Sequence, residues 1–575
     1  MKAMAELGAV LIAISAGPTM AADLPLKAPF SERLPVQWNW SGLYLGGHIG
    51  GGLGLTTFSD PLGSSIYGDK VRTPAFLGGA QLGYNWQSAN TPLVFGLEAD
   101  FSGLDSTGTN TCLASSGLFV SANCRVVQDA TTTLTARFGY ATGPDGRTLL
   151  YIKGGLAGAH GRFDITTNGG VPPQETSRDG WSWGGTIGTG LEHALSPAWS
   201  LKLEYDFLAV SDVGMATPPS QIQAVLGGAF SAFAGSSTSA SQQLHQVKLG
   251  LNYRIGADPW AIPRAATYAG TPSSAAAAGG WEIQGGARYW FSWGRFQKDL
   301  GASVNPANAN ALNSRLTYKN TAKSGEFFGR IDTPWSTFLK GFIGGGRLSG
   351  GQLNDEDWNL GSMGLGPIAY SNTISDPLKG RIRYGTIDFG YNFFRSADYK
   401  LGGFAGYNYY RDDKDAYGCV QIANQASDCR ASNPISNSVL GITENDTWQA
   451  LRLGLNGEIA LTPGLRLAAD LAYLPYVTFD GLDIHHLRRV ADNRSPETGK
   501  ARGVQLETIL SYELTAALSL GIGGRYWAMW TNDNAYTNIF GTPCPCQTLP
   551  SKTERYGVFF QAAYKFDTPD AIAAK

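Results

Sequence analysis

The sequence predicts an all-β fold: two transmembrane antiparallel β-barrels in one chain, of about eight strands and then about ten. Three observations predict it. The 575 residues include 75 glycines, and 11% are aromatic but only 16% charged, where a soluble chain carries about 25% charge. Such a mixture suits a barrel wall with an apolar outer face and aromatic girdles. Runs such as "AFLGGAQLGYNWQ" (75–87) and "ERYGVFFQAAYKF" (554–566) alternate apolar and polar residues, the period of a strand with two different faces. After the N-terminus no stretch offers about 18 unbroken apolar residues, so helical spans are not expected.

The chain opens with "MKAMAELGAVLIAISAGPTMAADLP". Lys2 is a minimal basic start, Leu7 to Ala16 is apolar, and small residues lead to Ala21 and Ala22, the form of a secretory signal peptide over 1–22. The first barrel is expected over 35–255, with strands at 41–53, 75–87, 93–103, 131–141, 148–158, 181–193, 198–208 and 244–255. Residues 256–280, rich in Ala, Gly, Pro and Ser and without an apolar period, read as a linker. This breaker-rich segment argues against a single 18-stranded barrel. The second barrel is expected over 281–566, followed by a tail at 567–575. Its strands fall at 281–293, 311–332, 336–348, 382–394, 399–412, 447–460, 464–478, 502–515, 516–531 and 554–566.

An even strand number puts both ends of each barrel on one side, the periplasmic side in a Gram-negative outer membrane. Loops after odd strands then face outward. Those at 104–130, 349–381, 413–446, 479–501 and 532–553 are all long, whereas the turns after even strands of the second barrel are short. All six cysteines fall in the long loops: Cys112 with Cys124, Cys419 with Cys429, and Cys544 with Cys546. An exported chain meets an oxidising compartment, so the first two pairs read as local disulfides. The third is too tight for an easy internal bridge and stays open. Zinc is the competing reading, but no histidine lies near any of them, and no metal is expected. A formal net charge of −2 gives no case for a nucleic-acid partner.

Two acidic stretches carry chemistry. "NDEDW" opens the outward loop after the third strand of the second barrel, and "DGLDIHHL" opens the one after the seventh. Residues two apart on a strand point the same way. Asp355 and Asp357 can therefore aim together into the barrel mouth, as can Asp483 and His485. In a ten-stranded ring the third and seventh strands are roughly opposite, so the pairs would face each other. That arrangement suits hydrolysis: His485, made more basic by Asp483, activates a water, and the two aspartates share a proton and hold it. The competing reading is an acidic rim that binds divalent ions or solvates the surface. His48, His160, His193 and His245 are scattered without evident partners and read as lumen or interface residues.

"WSGLYLGGHIGGG", "FLGGAQLGYNWQ", "FGLEADFSG" and "VKLGLNYRIG" resemble the small eight-stranded outer-membrane proteins of the Omp25/Omp31 type found in rhizobia. The resemblance covers about 35–255 and implies envelope integrity and surface exposure, without catalysis. The second half resembles the omptins, outer-membrane proteases with a ten-stranded barrel. "DEDW" (Asp355 to Trp358), Asp483-Ile484-His485, "ADYKLGGFAGYNYYR" and "LNSRLTYKN" carry it. It implies Asp483 and His485 as the base dyad and Asp355 and Asp357 as the water-positioning couple. His486 inherits no role. Lipopolysaccharide, an activating lipid rather than a cofactor, is implied at Tyr407 and Arg411, with a second family arginine replaced near Thr447. Extracellular peptides are the implied substrates.

The departures bear on specificity. Omptins cut between basic residues with acidic pocket side chains. Here Gly294 and Gly481 stand near the expected acids, Asp480 is offset, and "SDP" (375–377) replaces a family histidine. The expectation is an endopeptidase barrel fused to a structural barrel. The rivals are a catalytically silent surface protein and, behind it, a porin-type channel.

Overall fold

The computed structural model describes residues 38–566 apart from 60–69, 89–90, 114–121, 144, 169–173, 219–220, 223–230, 233–236, 258–279, 302–309, 359–369, 424–428, 489–491, 532–534 and 540–546. The expected signal segment, nearly all of the expected linker, the tail, Cys544 and Cys546 lie outside the described residues.

Eight strands close the first barrel: β1 (Gly42–Phe58), β2 (Lys70–Gln87), β3 (Leu93–Cys112), β4 (Ala122–Thr142), β5 (Thr148–Thr167), β6 (Glu175–Ala194), β7 (Trp199–Ala216) and β8 (Ser237–Arg254). Each pairs antiparallel with its neighbour, and β1 seals on β8 from Tyr44↔Arg254 to Phe58↔Ala240. The second ring is β9 (Glu282–Gly301), β10 (Leu312–Asp332), β11 (Thr337–Trp358), β12 (Leu378–Arg395), β13 (Tyr399–Ala423), β14 (Ile435–Thr462), β15 (Leu465–His485), β16 (Arg494–Glu513), β17 (Leu518–Thr531) and β18 (Ser551–Phe566). It closes where β9 pairs with β18. A short strand, Tyr370–Ser375, bridges β11 and β13 above the outer end of β12. Disulfides join Cys112 to Cys124 and Cys419 to Cys429.

The strands run further outward than the alternation predicts. The third strand of the second barrel, expected to stop at 348, continues to Trp358, and the seventh, expected to stop at 478, continues to His485. The first barrel shows the same extension, for example β3 to Cys112 and β5 to Thr167. The cause is physical. Beyond the lipid both faces of a strand can be polar, so the apolar period disappears while the hydrogen-bond ladder goes on. Much of the expected outward loops at 104–130, 349–381, 413–446 and 479–501 is barrel wall.

Within the lipid zone the outer faces are apolar. Leu97, Leu134, Ile152 and Ile187 on the first barrel are more than half exposed, as are Phe327, Ile343, Ile387, Phe389 and Phe393 on the second. Belts of this size are stable only against lipid. Among the described residues no helix is long and apolar enough to cross a membrane, so crossing falls to the strands.

Among the described residues, packed side chains cross both lumens. In the first barrel Lys153, Lys202 and Lys248 interleave with Glu98, Asp100, Glu204 and Asp206, all buried. The four scattered histidines do have partners, contrary to expectation: His48 meets Gln81 and Ser102, His160 meets Asp129, His193 meets Thr148, and His245 meets Tyr205. In the second barrel Trp290, Tyr384 and Trp527 lock edge to face at 5.1–5.4 Å, with the Arg525 guanidinium 4.8 Å from the Trp290 and Trp527 rings. This layer separates a charged cavity near the short-turn end, lined by Glu282, Asp332, Lys400 and Arg452 among others, from the outer mouth.

The barrels pack side by side. Leu201 and Leu249 cluster with Leu401, Ile459 and Leu471, and Phe76 stacks on Tyr473 at 4.3 Å. Gly51 permits the close approach, because a Cβ there would lie 2.8 Å from Val504 Cγ2. Nearer the outer rim the seam turns polar, with Arg72 on Glu554 at 2.7 Å and Arg502 on Asp105 at 2.9 Å.

Packed lumens predict that the full chain, reconstituted in planar bilayers, conducts no steady ion current. Stepwise conductance would contradict the packing.

Candidate active site

β11 is held from both sides at its outer end. Asp355 lies opposite Leu316 and Asp357 opposite Ser314 on β10, while Thr373 and Ser371 flank the other edge. Strand alternation puts both aspartates toward the mouth and Glu356 outside. Across the ring, the last residues of β15 carry Asp483 and His485. His485 Nε2 lies 3.1 Å from Asp483 Oδ2. The turn beyond is pinned, with His485 N donating to Asn493 O at 3.0 Å and Asn493 Nδ2 donating to His485 O at 3.1 Å. His486 projects to the other face and meets Thr443 at 2.9 Å.

The expected pairs sense each other across the mouth. Burial and the neighbouring Asp357 charge push Asp355 well above the usual carboxylate range, with Asp483 adding to the rise and Arg488 and Lys298 opposing it. Burial also raises Asp357, against a Ser314 hydrogen bond and the charges of Arg488 and His485. Asp483 behaves oppositely. Burial would raise it, but the His485 and Lys298 charges and hydrogen bonds outweigh that and hold it well below its ordinary value. One side of the mouth is therefore pushed toward the protonated form and the other toward the ionised form, the kind of contrast that acid–base chemistry uses. Asp355 Oδ1 is buried with no hydrogen-bond donor among the described residues.

Beneath the dyad lies a floor that the sequence reading missed. Lys298, on β9 and fully buried, donates to Asp483 at 2.9 Å, to Glu497 at 2.6 Å and to Glu444. Lys414 pairs with Asp446 beside it. Acidic side chains do line this space, against expectation, but they come from β14 and β16. At Gly481 a Cβ would lie 2.7 Å from Glu497 Oε2, so the Glu497 carboxylate fills the room a side chain there would take. Glu444, Asp483 and Glu497 converge closely enough to ligate a metal, but the Lys298 ammonium already sits among them. Strand parity could have found this floor. Lys298 shares the lumen face of β9 with Trp290 and Phe296, and Glu444 shares that of β14 with Trp448.

Tyr407 and Arg411 sit elsewhere, on the outer wall of β13. Tyr407 donates to Gln449 at 2.7 Å, and Arg411 reaches Asp413 at 2.7 Å and Thr447 at 3.1 Å. Arg381 and Arg383 on β12 approach the same Asp413 at 3.6 and 3.8 Å. The sequence reading had not included these two cations.

Two strand-built walls, apolar girdles and filled lumens define an outer-membrane β-barrel protein. Residues 9–230 match the family described as outer membrane protein beta-barrel domain, and residues 340–542 match the omptin family. The chain is 31% identical over 257 residues to the 31 kDa outer-membrane immunogenic proteins of Brucella melitensis biotype 1 and Brucella suis biovar 1, covering 43% of this chain and 98% of each relative. The crystal structure of outer membrane protease OmpT from Escherichia coli aligns with 14% identity and a TM-score of 0.39, over 50% of this chain and 97% of that one. Through its first half the chain belongs to the outer-membrane β-barrel family of those Brucella proteins, and its second half carries the match to the omptin family.

Two outcomes follow from the electrostatics. Asp355→Asn removes a carboxylate whose ionisation the fold opposes. It should raise the melting temperature at pH 7, and the gain should vanish below about pH 3, where the group is protonated folded and unfolded alike. Thermal melts in detergent at the two pH values check this. Lys298→Met leaves three buried carboxylates without their cation and should cost about 3–5 kcal/mol, with part recovered when Glu497→Gln is added. Denaturant titrations of both variants read the difference.

Proposed function

We propose that the second barrel is an endopeptidase acting on extracellular peptides, with water as the nucleophile. The observation that carries this reading is the Asp483–His485 contact at 3.1 Å, set across the mouth from Asp355 and Asp357. His485 takes a proton from a water held between the pairs, and ionised Asp483 stabilises the imidazolium that forms. The water oxygen attacks the peptide carbonyl carbon. The protonated aspartate couple hydrogen-bonds the developing oxyanion. The imidazolium proton then goes to the leaving amine as the C–N bond breaks.

The floor argues for a preference unlike a dibasic one. Its carboxylates are already engaged by Lys298 and Lys414, and Gly294 leaves its space to the Arg555 guanidinium, 2.3 Å from where a Cβ would stand. A small or neutral side chain fits next to the scissile bond better than Arg or Lys. On the outer wall Tyr407, Arg411, Arg381 and Arg383 suit the phosphates of lipopolysaccharide, which an arginine can grip with two parallel hydrogen bonds. The chain reaches the membrane by export, with the segment at 1–22 removed. The second reading, a silent surface protein, is favoured by that same filled floor.

The test is a mixed peptide library incubated with the mature chain refolded in lipopolysaccharide. The parent should cleave, and His485→Ala and Asp355→Ala should each lose about 10²–10⁴-fold. A folded parent that cleaves nothing from pH 5 to 9 sinks the peptidase reading and leaves the surface-protein one.

A further inference from the structure

The outer ends of β9, β10 and β11 use both faces. Inward they carry Lys298, Ser314, Asp355 and Asp357. Outward, the sequence neighbours Asp299, Arg315 and Glu356 are buried, Arg315 completely, and what buries them is the first barrel. Arg315 chelates Asp299 with two hydrogen bonds of 2.7 Å. Two further guanidinium hydrogens go to the first barrel, Nη1 to Thr111 Oγ1 at 2.8 Å and Nη2 to Asn123 Oδ1 at 2.7 Å. Thr111 Oγ1 in turn donates to Glu356 Oε2 at 3.0 Å, and Thr109 Oγ1 donates to Asp299 Oδ2 at 2.6 Å. The Cys112–Cys124 disulfide ties β3 to β4 beside Thr111 and Asn123.

We propose that the first barrel is a positioning partner of the peptidase centre: Thr111 and Asn123 hold Arg315 and Glu356, and through them fix the strand ends that carry Asp355, Asp357 and Ser314. The proposal rests on the peptidase reading for its catalytic consequence, but its mechanical content stands on the seam alone. Glu356 is peptide-bonded to both aspartates, so it cannot shift without moving them. Arg315 is bonded to Ser314, whose hydroxyl supports Asp357. These strand ends stand beyond the lipid belt, where no bilayer braces the wall. Without Thr111 and Asn123, Arg315 would keep only Asp299 and Glu356 only the Tyr370 hydroxyl, and the buried groups left short of hydrogen bonds would pull the strands toward water. Not every contact along the seam is coupled in this way. Arg502, which meets Asp105, has Ala501 and Gly503 as its inward neighbours. It joins the barrels without touching the centre.

The test compares full-length chains refolded in lipopolysaccharide. Thr111→Val, alone and with Asn123→Leu, removes the grip while leaving the second barrel intact. Thr111→Ser keeps the hydroxyl, and Asp105→Asn loosens the seam away from the centre. Hydrogen exchange at residues 353–358 should quicken severalfold in Thr111→Val and further in the double variant. It should stay at the parent rate in Thr111→Ser and Asp105→Asn. On a peptide the parent cleaves, kcat should fall about ten- to a hundredfold, the scale of an ångström of misplacement, with KM changed less than about twofold by the same geometric argument. Unchanged exchange at 353–358 in the double variant overturns the proposal, as does an equal effect from Asp105→Asn. A parent that cleaves nothing removes the peptidase reading, while the exchange rates still decide whether the first barrel fixes these strands.

Discussion

A strand in a closed barrel wall has one face in the lumen and one outside, and the rest of this structure depends on that two-residue period. Inside the bilayer the outer face must be apolar, which gives the girdles and the belt. Above the bilayer that demand lapses, and the wall continues with both faces free for polar work. The outer ends of β9, β10 and β11 put charge inward toward the mouth and outward toward a second barrel. Asp355 and Asp357 share a side because Glu356 stands between them. Asp483 and His485 share one because Ile484 does.

Buried charge is the second constraint, and the two barrels answer it differently. The first fills its lumen with interleaved lysines and carboxylates, which suits a narrow eight-stranded cylinder that must hold side chains rather than solvent. The second puts an aromatic layer around Arg525 across its middle and keeps its charge above and below. At the mouth the balance is uneven. Lys298 draws three carboxylates to itself and helps hold Asp483 ionised, while Asp355 and Asp357 lie beside each other with too little positive charge to hold both ionised. The asymmetry comes from where the cations lie, since the carboxylates themselves are chemically alike.

Much of this was legible in the sequence. Alternation located all eighteen membrane strands, because lipid on one side and lumen on the other impose the signal. It stopped short at the outward ends, where water lies on both sides, so Asp355 and Asp483 were expected at loop openings and are found on strands. The local pairings Asp355/Asp357 and Asp483/His485 could be read because they need only the period of a strand. Lys298, Glu444 and Glu497 could not, because they come from three separated strands and meet only when the ring closes. The seam was equally hidden. Thr111, Asn123 and Arg315 are ordinary polar residues until two barrels are laid side by side.

The central claim is that the mouth holds a water and attacks with it directly, without a covalent enzyme intermediate. Cleavage of a susceptible peptide by the lipopolysaccharide-loaded chain, run with hydroxylamine as a competing nucleophile, tests this most directly. The account predicts that every new C-terminus is a free carboxylate and that hydroxylamine leaves the product distribution unchanged. A hydroxamate product rising with hydroxylamine concentration would reveal an acyl-enzyme and contradict it.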